Sequence, residues 1–184
     1  MQTKLILLAA LGLPALFAQT LAPQDAGKTF TAQLRGPESE VTSLVEAMPE
    51  ELFNFAPKGK PAFEGVRTFA QQAKHIAYVN YMVAAALLGE KNPSTSDDKE
   101  NGPVEVKTKA QIVDYVKASF AYSAKAMASL TNENLMGLVK DAFDQKRMTP
   151  RVSLASIILW HSFDHYGQMV VYARMNNIVP PASR

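Results

Sequence analysis

The segment TPRVSLASIILWHSFDHYGQMVVYARMN, residues 149–176, decides the fold because it predicts one long helix. Thr149 can cap the N-terminus, and Pro150 suits the first helical position, where the amide that proline lacks would have no partner. Apolar side chains occur nearly all round this helix. We therefore expect a heavily buried helix that ends near Asn176, with Trp160 in the core.

Two earlier helices begin with the same local pattern. Thr68 precedes Gln71 by three residues, and Thr108 precedes Gln111 by the same spacing. In such a capping box, each side chain accepts a hydrogen bond from the other residue's backbone amide. Gly89 marks the end of the earlier of these helices, because glycine readily adopts the left-handed conformation found at helix C-termini.

The first helix is the least regular of the four. Gly36 and Pro37 interrupt it, so either a helix starts at Pro37 or a longer helix bends there. We favour the longer helix, followed by a loop over residues 49–67. Beyond the proline, four apolar residues keep helical spacing: Val41, Leu44, Val45 and Met48.

The polar segment 131–148 precedes the last helix, and we predict one short helix in it, around Leu135 to Phe143. We see no strand pattern in the chain. The fold class is therefore all-α, an antiparallel four-helix bundle. With 184 residues and 47% hydrophobic content the chain can bury one core, so residues 19–184 form one domain.

Charge and cysteine content exclude several functions. The formal net charge is +2, and the basic residues are scattered among acidic ones, so we expect no nucleic-acid partner. Cysteine is absent, which removes disulfides and thiol catalysis by the protein. Histidine and carboxylate remain as the metal ligands that this chain can offer.

The N-terminus has the pattern of an export signal. Lys4 precedes an apolar run over residues 5–17, and Ala18 is a small residue at a suitable cleavage point. We predict a signal peptide over residues 1–18 and a periplasmic or secreted mature protein. The run is shorter than the roughly 20 residues of a membrane span, so no stable span remains after cleavage, and an uncleaved anchor is the alternative.

All three histidines of the chain fall in apolar helical segments. His161 and His165 stand four residues apart, so both imidazoles project from one helix face. His75 lies in the second helix and can supply a third nitrogen from a facing position. Three histidines with an open coordination position are typical of a divalent metal site, whereas hydrogen-bonded core histidines are the alternative.

Four polar side chains accompany the predicted metal ligands. Gln168 shares the narrow arc of the two C-terminal histidines, and Gln71 and Tyr78 share that of His75. We consider these three to be substrate or ligand-orienting candidates. Asp164 lies about 60° from the histidine stripe and is a further candidate for orientation or proton transfer, whereas a surface carboxylate is the alternative that we favour.

These residues carry a resemblance to a known family. His75, the run HSFDHYGQ over residues 161–168 and the run IVPP over residues 178–181 resemble the DinB family of DinB/YfiT-like metalloenzymes, over about the whole mature chain. The resemblance implies a four-helix bundle with a divalent ion, commonly zinc or nickel, on His75, His161 and His165. Tyr166 departs from the arginine often found at that place.

The resemblance leaves the reaction open. Better-understood relatives are thiol-dependent transferases and isomerases, but an exported protein meets little reduced thiol. A metal-activated water is at least as attractive, although the HExxH pattern is absent and Ser162 stands where its base would be. We expect a hydrolase or thiol-type transferase for a small molecule. The alternative is a non-catalytic metal or small-molecule binding protein, and a homodimer is one possible assembly.

Overall fold

The computed structural model describes residues 24–94, 96, 98 and 101–184. The predicted signal peptide, residues 1–18, lies outside the described residues. Four long helices dominate the described chain and confirm the all-α bundle: α1 Ala26–Ala47, α2 Phe69–Leu88, α3 Lys109–Ala128 and α4 Arg151–Met175. Among these residues, none of the helices combines the length and the hydropathy of a membrane-spanning segment.

The core lies among the four helices, which pack against one another in pairs. α2 packs against α3 and α4, and α1 packs against the same two helices from the other side. Hydrogen bonds from Gln72 to Gln168 and from Ser162 to Asn80 show that α2 and α4 run antiparallel. The largest fully buried side chains include Leu34, Leu44, Phe69, Ile76, Ile112, Phe120, Leu154, Ile158 and Met169.

Local sequence explains the ends of α2 and α3. Both predicted capping boxes are present, with the amide of Thr68 donating to Gln71 Oε1 at 2.8 Å and that of Thr108 donating to Gln111 Oε1 at 3.0 Å. Gly89 ends α2 with a φ of 68°, which a residue with a side chain rarely adopts. The predicted boundaries of α2 are therefore confirmed.

α1 is continuous through Pro37, which confirms the longer of the two predicted helices. It begins after Asp25, whose Oδ1 accepts a hydrogen bond from the Lys28 amide at 2.7 Å. Pro37 is buried, and tertiary packing of this helix offsets the hydrogen bond that proline removes. The predicted loop after α1 contains two short 3-10 turns, Glu50–Leu52 and Pro61–Phe63.

The predicted short helix around Leu135 to Phe143 is wrong, because a β-hairpin occupies this segment. β1, Leu138–Lys140, pairs antiparallel with β2, Met148–Pro150. The buried carboxylate of Asp141 organises the turn: its Oδ1 accepts from the amides of Phe143 and Asp144, and its Oδ2 accepts from the guanidinium of Arg147 at 2.7 Å.

The hairpin also sets the start of α4, one residue later than the sequence predicts. Thr149 lies in β2 and does not cap the helix, while Pro150 takes the N-cap position without a side-chain hydrogen bond. The amide of Arg151 instead donates to the Gly137 carbonyl at 3.0 Å. Backbone carbonyls near β1 thus satisfy the amides that a helix N-terminus leaves free.

The predicted burial of α4 is wrong on one side of the helix. Trp160 is 57% exposed and Phe163 is 42% exposed, so neither lies in the core. We call the exposed face the outer stripe, and its residues are Trp160, Phe163, Gly167, Val171 and Met175. The opposite, inner face carries the buried residues of α4, including Leu154, Ile158, Ser162, His165, Met169 and Tyr172.

Candidate metal centre

The antiparallel packing of α2 and α4 brings all three histidines together. His75 Nε2 lies 3.2 Å from His161 Nε2, and one ligand nitrogen from each of the three residues falls within 4.8 Å of the others. The ring centroids of His161 and His165 are 4.5 Å apart, as expected for neighbours one helical turn apart. His75 is 9% exposed, His165 is 7% exposed, and His161 is half-buried.

The donor set fits a divalent transition ion. Imidazole nitrogens bind zinc at about 2.0–2.1 Å, so two of them on a tetrahedral ion lie about 3.3 Å apart. The separation of 3.2 Å between the Nε2 atoms of His75 and His161 matches this spacing. His165 would complete the set from the next turn of α4. Three imidazole nitrogens without a thiolate are a donor set that suits divalent transition ions.

Two glutamines control the orientation of His165. His165 Nδ1 lies 2.6 Å from Gln72 Oε1, which can only accept, so Nδ1 carries the proton and Nε2 keeps its lone pair. Gln72 Nε2 donates to Gln168 Oε1 at 2.9 Å, and Gln168 Nε2 donates to Asp164 Oδ2 at the longer distance of 3.4 Å.

Burial keeps the two histidines of α4 neutral. The pKa of His161 is lowered to about 3, mainly by burial and also by charge repulsion from His165, His75 and Arg67. Burial likewise lowers the pKa of His165 to about 4, with His75 contributing in the same direction. At neutral pH both imidazoles are therefore unprotonated, which is the form that binds metal.

His161 differs from His165 in its second nitrogen. The Nδ1 atom of His161 is buried without a hydrogen-bond partner in the described part of the chain. The Trp160 ring lies next to the His161 ring, with 6.0 Å between the two ring centroids. Ser162, which stands where a zincin has its base, points into the core and donates to Asn80 Oδ1 at 3.4 Å.

The other predicted site residues have different locations. Gln168 and Asp164 belong to the hydrogen-bonded chain that leads to His165. Gln71 does not join it, because its amide oxygen is used in the capping box of α2. Tyr78 is buried, and burial raises its pKa.

Sequence reasoning missed Gln72 and Arg67. Gln71 lies about 40° from His75 around the helix and Gln72 lies about 60° away on the other side, so helical spacing alone favours Gln71. The capping box was the available signal, since a glutamine that caps a helix is not free to reach a metal ligand. Arg67 precedes α2, and its carbonyl accepts a hydrogen bond from the Tyr172 hydroxyl at 3.1 Å.

Fold and site together define a four-helix bundle with a three-histidine cluster between two of its helices. Residues 33–169 match the DinB superfamily, and the chain belongs to that superfamily. A solved structure of a DinB-like protein from Bacillus cereus ATCC 10987 is similar, with a TM-score of 0.66 and 18% identity over 84% of this chain and 95% of that chain. At this identity the likeness shows the fold alone. No match was found among curated proteins.

Proposed function

We propose that this protein is a metalloenzyme that holds one divalent ion, zinc or nickel, on His75, His161 and His165. The observation that carries the proposal is the convergence of three imidazole nitrogens from two helices within 4.8 Å. The lowered pKa values of His161 and His165 support it, because ligands that are already neutral lose no proton on binding.

The reaction that we propose is hydrolysis or group transfer on a small molecule. A divalent ion held by His75, His161 and His165 would supply Lewis acidity to water, a thiol or a substrate oxygen. In this chain Gln72 holds His165 in the tautomer that presents Nε2. Gln168 and Asp164 extend this hydrogen-bonded chain to the exposed side of α4, where a substrate can meet them.

Metal analysis combined with chelation tests this function. We expect one divalent ion per chain in the purified protein, and esterase or thiol-transfer activity that chelation abolishes. The chelated protein should keep its helical circular dichroism spectrum, because four helices with a shared core fold without an ion. When the free metal concentration is about a thousandfold above the dissociation constant, the free energy of unfolding should be about 4 kcal/mol higher for the metal-bound protein than for the metal-free protein.

Two outcomes would contradict the proposal. The first is purified protein that carries no transition ion and takes none up from a zinc or nickel solution. The three histidines would then be hydrogen-bonded core residues and not metal ligands. Chelated protein that unfolds outright would make the ion structural. The low exposure of His75 and His165 would then be explained by a closed, non-catalytic site.

We also propose that the protein is exported and cleaved after Ala18. The support is Lys4, the apolar run over residues 5–17 and the small residue that follows it. The intact mass of protein recovered from the periplasm or medium should correspond to a chain that begins at Gln19. A full-length cytosolic product would contradict export and would favour the thiol-dependent reaction.

A further inference from the structure

A cavity of about 490 Å³ lies where the C-terminus of α2 and the N-terminus of α4 meet the hairpin, and we call it the hairpin cavity. Its volume falls within the range of about 300–1,000 Å³ that is typical of small-molecule sites. None of the three histidines lines it, and its lining residue Met82 lies about 10 Å beyond His75 along α2. The hairpin cavity is therefore distinct from the candidate metal centre, and binding there does not depend on the proposed function.

Much of the wall of the hairpin cavity is apolar. Met82, Ala85 and Ala86 contribute to it from α2, and Val139 and Ala142 contribute from β1 and the turn that follows. The alanine side chains end at Cβ, so they leave space between α2 and the hairpin. Such a wall can remove the hydrocarbon part of a ligand from water.

The polar part of the lining carries an excess of positive charge. Lys91, Lys140 and Arg151 line the cavity, and within the described residues none of the three makes an ion pair. Glu90 lines it as well, but its carboxylate is already occupied, because its two oxygens accept hydrogen bonds from a lysine and a tyrosine of α3 at 2.7 Å. The unpaired charges of the lining are therefore positive.

Arg151 is the basic residue with the most firmly held backbone. It follows β2 and begins α4, so the hairpin and a long helix both fix its position. Its Nη1 atom would lie 2.9 Å from a Cβ atom built at Gly137, which shows that the guanidinium packs against the backbone just before β1. A guanidinium presents forked donors that match the two oxygens of a carboxylate.

We propose that the hairpin cavity binds an organic anion with an apolar body. The anionic group would contact Arg151 and Lys140, and the body would pack against Ala86 and Val139. A neutral apolar molecule would leave the basic groups without a partner, and a small inorganic anion would leave the apolar wall in water. A ligand that combines both parts satisfies both halves of the lining.

Titration of the full chain with octanoate, followed by amide chemical shifts in NMR spectra, tests the proposal. We expect saturable binding of one octanoate per chain, with the largest shifts at Ala85, Ala86, Val139 and Ala142. Acetate lacks the apolar body and 1-octanol lacks the charge, so each should bind at least about tenfold more weakly than octanoate. Chelation of bound metal should leave the octanoate affinity unchanged.

Two variants separate the contributions of charge and volume. Lys140→Gln combined with Arg151→Gln should weaken octanoate binding at least about tenfold, because the carboxylate loses both cationic partners. The matched control is Lys146→Gln, at an exposed lysine in the turn of the same hairpin that does not line the cavity, and it should bind like the wild type. Ala86→Phe should fill the cavity and abolish binding while the helical circular dichroism spectrum is kept.

Three results would overturn the proposal. The first is the absence of saturable octanoate binding to the wild type. The second is an equal affinity in the double variant and in Lys146→Gln. The third is an affinity that chelation removes, with shifts around the histidines, because the carboxylate would then bind the ion. Octanoate binding to a protein that takes up no metal would support this proposal while contradicting the proposed metal function.

Discussion

The two faces of α4 have similar apolar sequences but opposite environments. Trp160 and Val171 lie on the outer stripe and are more than half exposed, whereas His165 and Met169 lie on the inner face and are buried. The apolar sequence predicts burial of both faces, but it does not indicate which of the two packs against the core of the bundle. The polar residues distinguish the faces, because only the inner face carries the histidines and the glutamine-bonded ring.

The largest expected difference between the faces concerns adjacent residues. His161→Ala should weaken zinc binding by more than about a hundredfold, which exceeds the usual effect of residues beyond the ligands. Trp160→Ala removes a larger side chain from the neighbouring position on the outer stripe and should leave zinc affinity within about twofold. Isothermal titration of both variants checks this. Zinc affinity that stays within about twofold of wild type in His161→Ala would show that the histidine cluster does not bind the ion.

Acid should destabilise the metal-free protein through the inner face. In the unfolded chain both imidazoles take up protons below about pH 6.5. In the folded chain the pKa is about 3 for His161 and about 4 for His165. Their contribution to stability is therefore complete above about pH 6.5 and is lost as the pH falls, by about 1.4 kcal/mol per pH unit for each histidine.

Urea unfolding between about pH 7 and pH 4.5 measures this loss. The matched control is the double variant His161→Ala with His165→Ala, which lacks both groups and should show a correspondingly shallower dependence on pH. If wild type and double variant lose stability equally, the two imidazoles are not held neutral by the fold.

A smaller effect separates two neighbouring glutamines. Gln72→Leu should lower zinc affinity about 10- to 100-fold, because His165 loses the acceptor that fixes its tautomer. Gln71→Leu should leave the affinity unchanged and cost about 1 kcal/mol of stability, because it removes half of a capping box. Gln72→Glu keeps an acceptor oxygen and should retain most of the affinity. Loss of affinity in Gln71→Leu would contradict this division of roles.

The smallest expected effect lies on the outer stripe. Gly167→Ala should raise the free energy of unfolding by about 1 kcal/mol, because the new methyl group meets nothing within 4 Å in the described chain. Chemical denaturation of the variant and the wild type measures this difference. A destabilised variant would show that the fold requires this glycine.

The elements that could be predicted from sequence are those that local residues specify. The capping boxes at Thr68 and Thr108 define the starts of α2 and α3 because donor and acceptor lie three residues apart. The hairpin was missed because its turn depends on Asp141, which bonds Arg147 six residues later. The observed start of α4 differs from the predicted one because its first amides donate to the carbonyls of residues 135 and 137, which are distant in sequence.

The same distinction applies to the site. Helical spacing placed the three histidines on facing stripes, since that spacing depends on the helix alone. It could not decide between Gln71 and Gln72, because the answer depends on which glutamine the N-cap uses. The exposure of Trp160 could not be predicted from the sequence either, because the apolar character of a helix face does not reveal whether that face packs against the core or lies at the surface.

Anomalous X-ray diffraction from crystals soaked in zinc or nickel, recorded at the metal absorption edge, tests most directly whether the three histidines bind one ion. We expect one peak per chain, about 2.1 Å from the Nε2 atoms of His75, His161 and His165, with His165 Nδ1 still bonded to Gln72. A peak elsewhere, ligation of His165 through Nδ1, or intact histidine contacts without any peak would contradict this expectation.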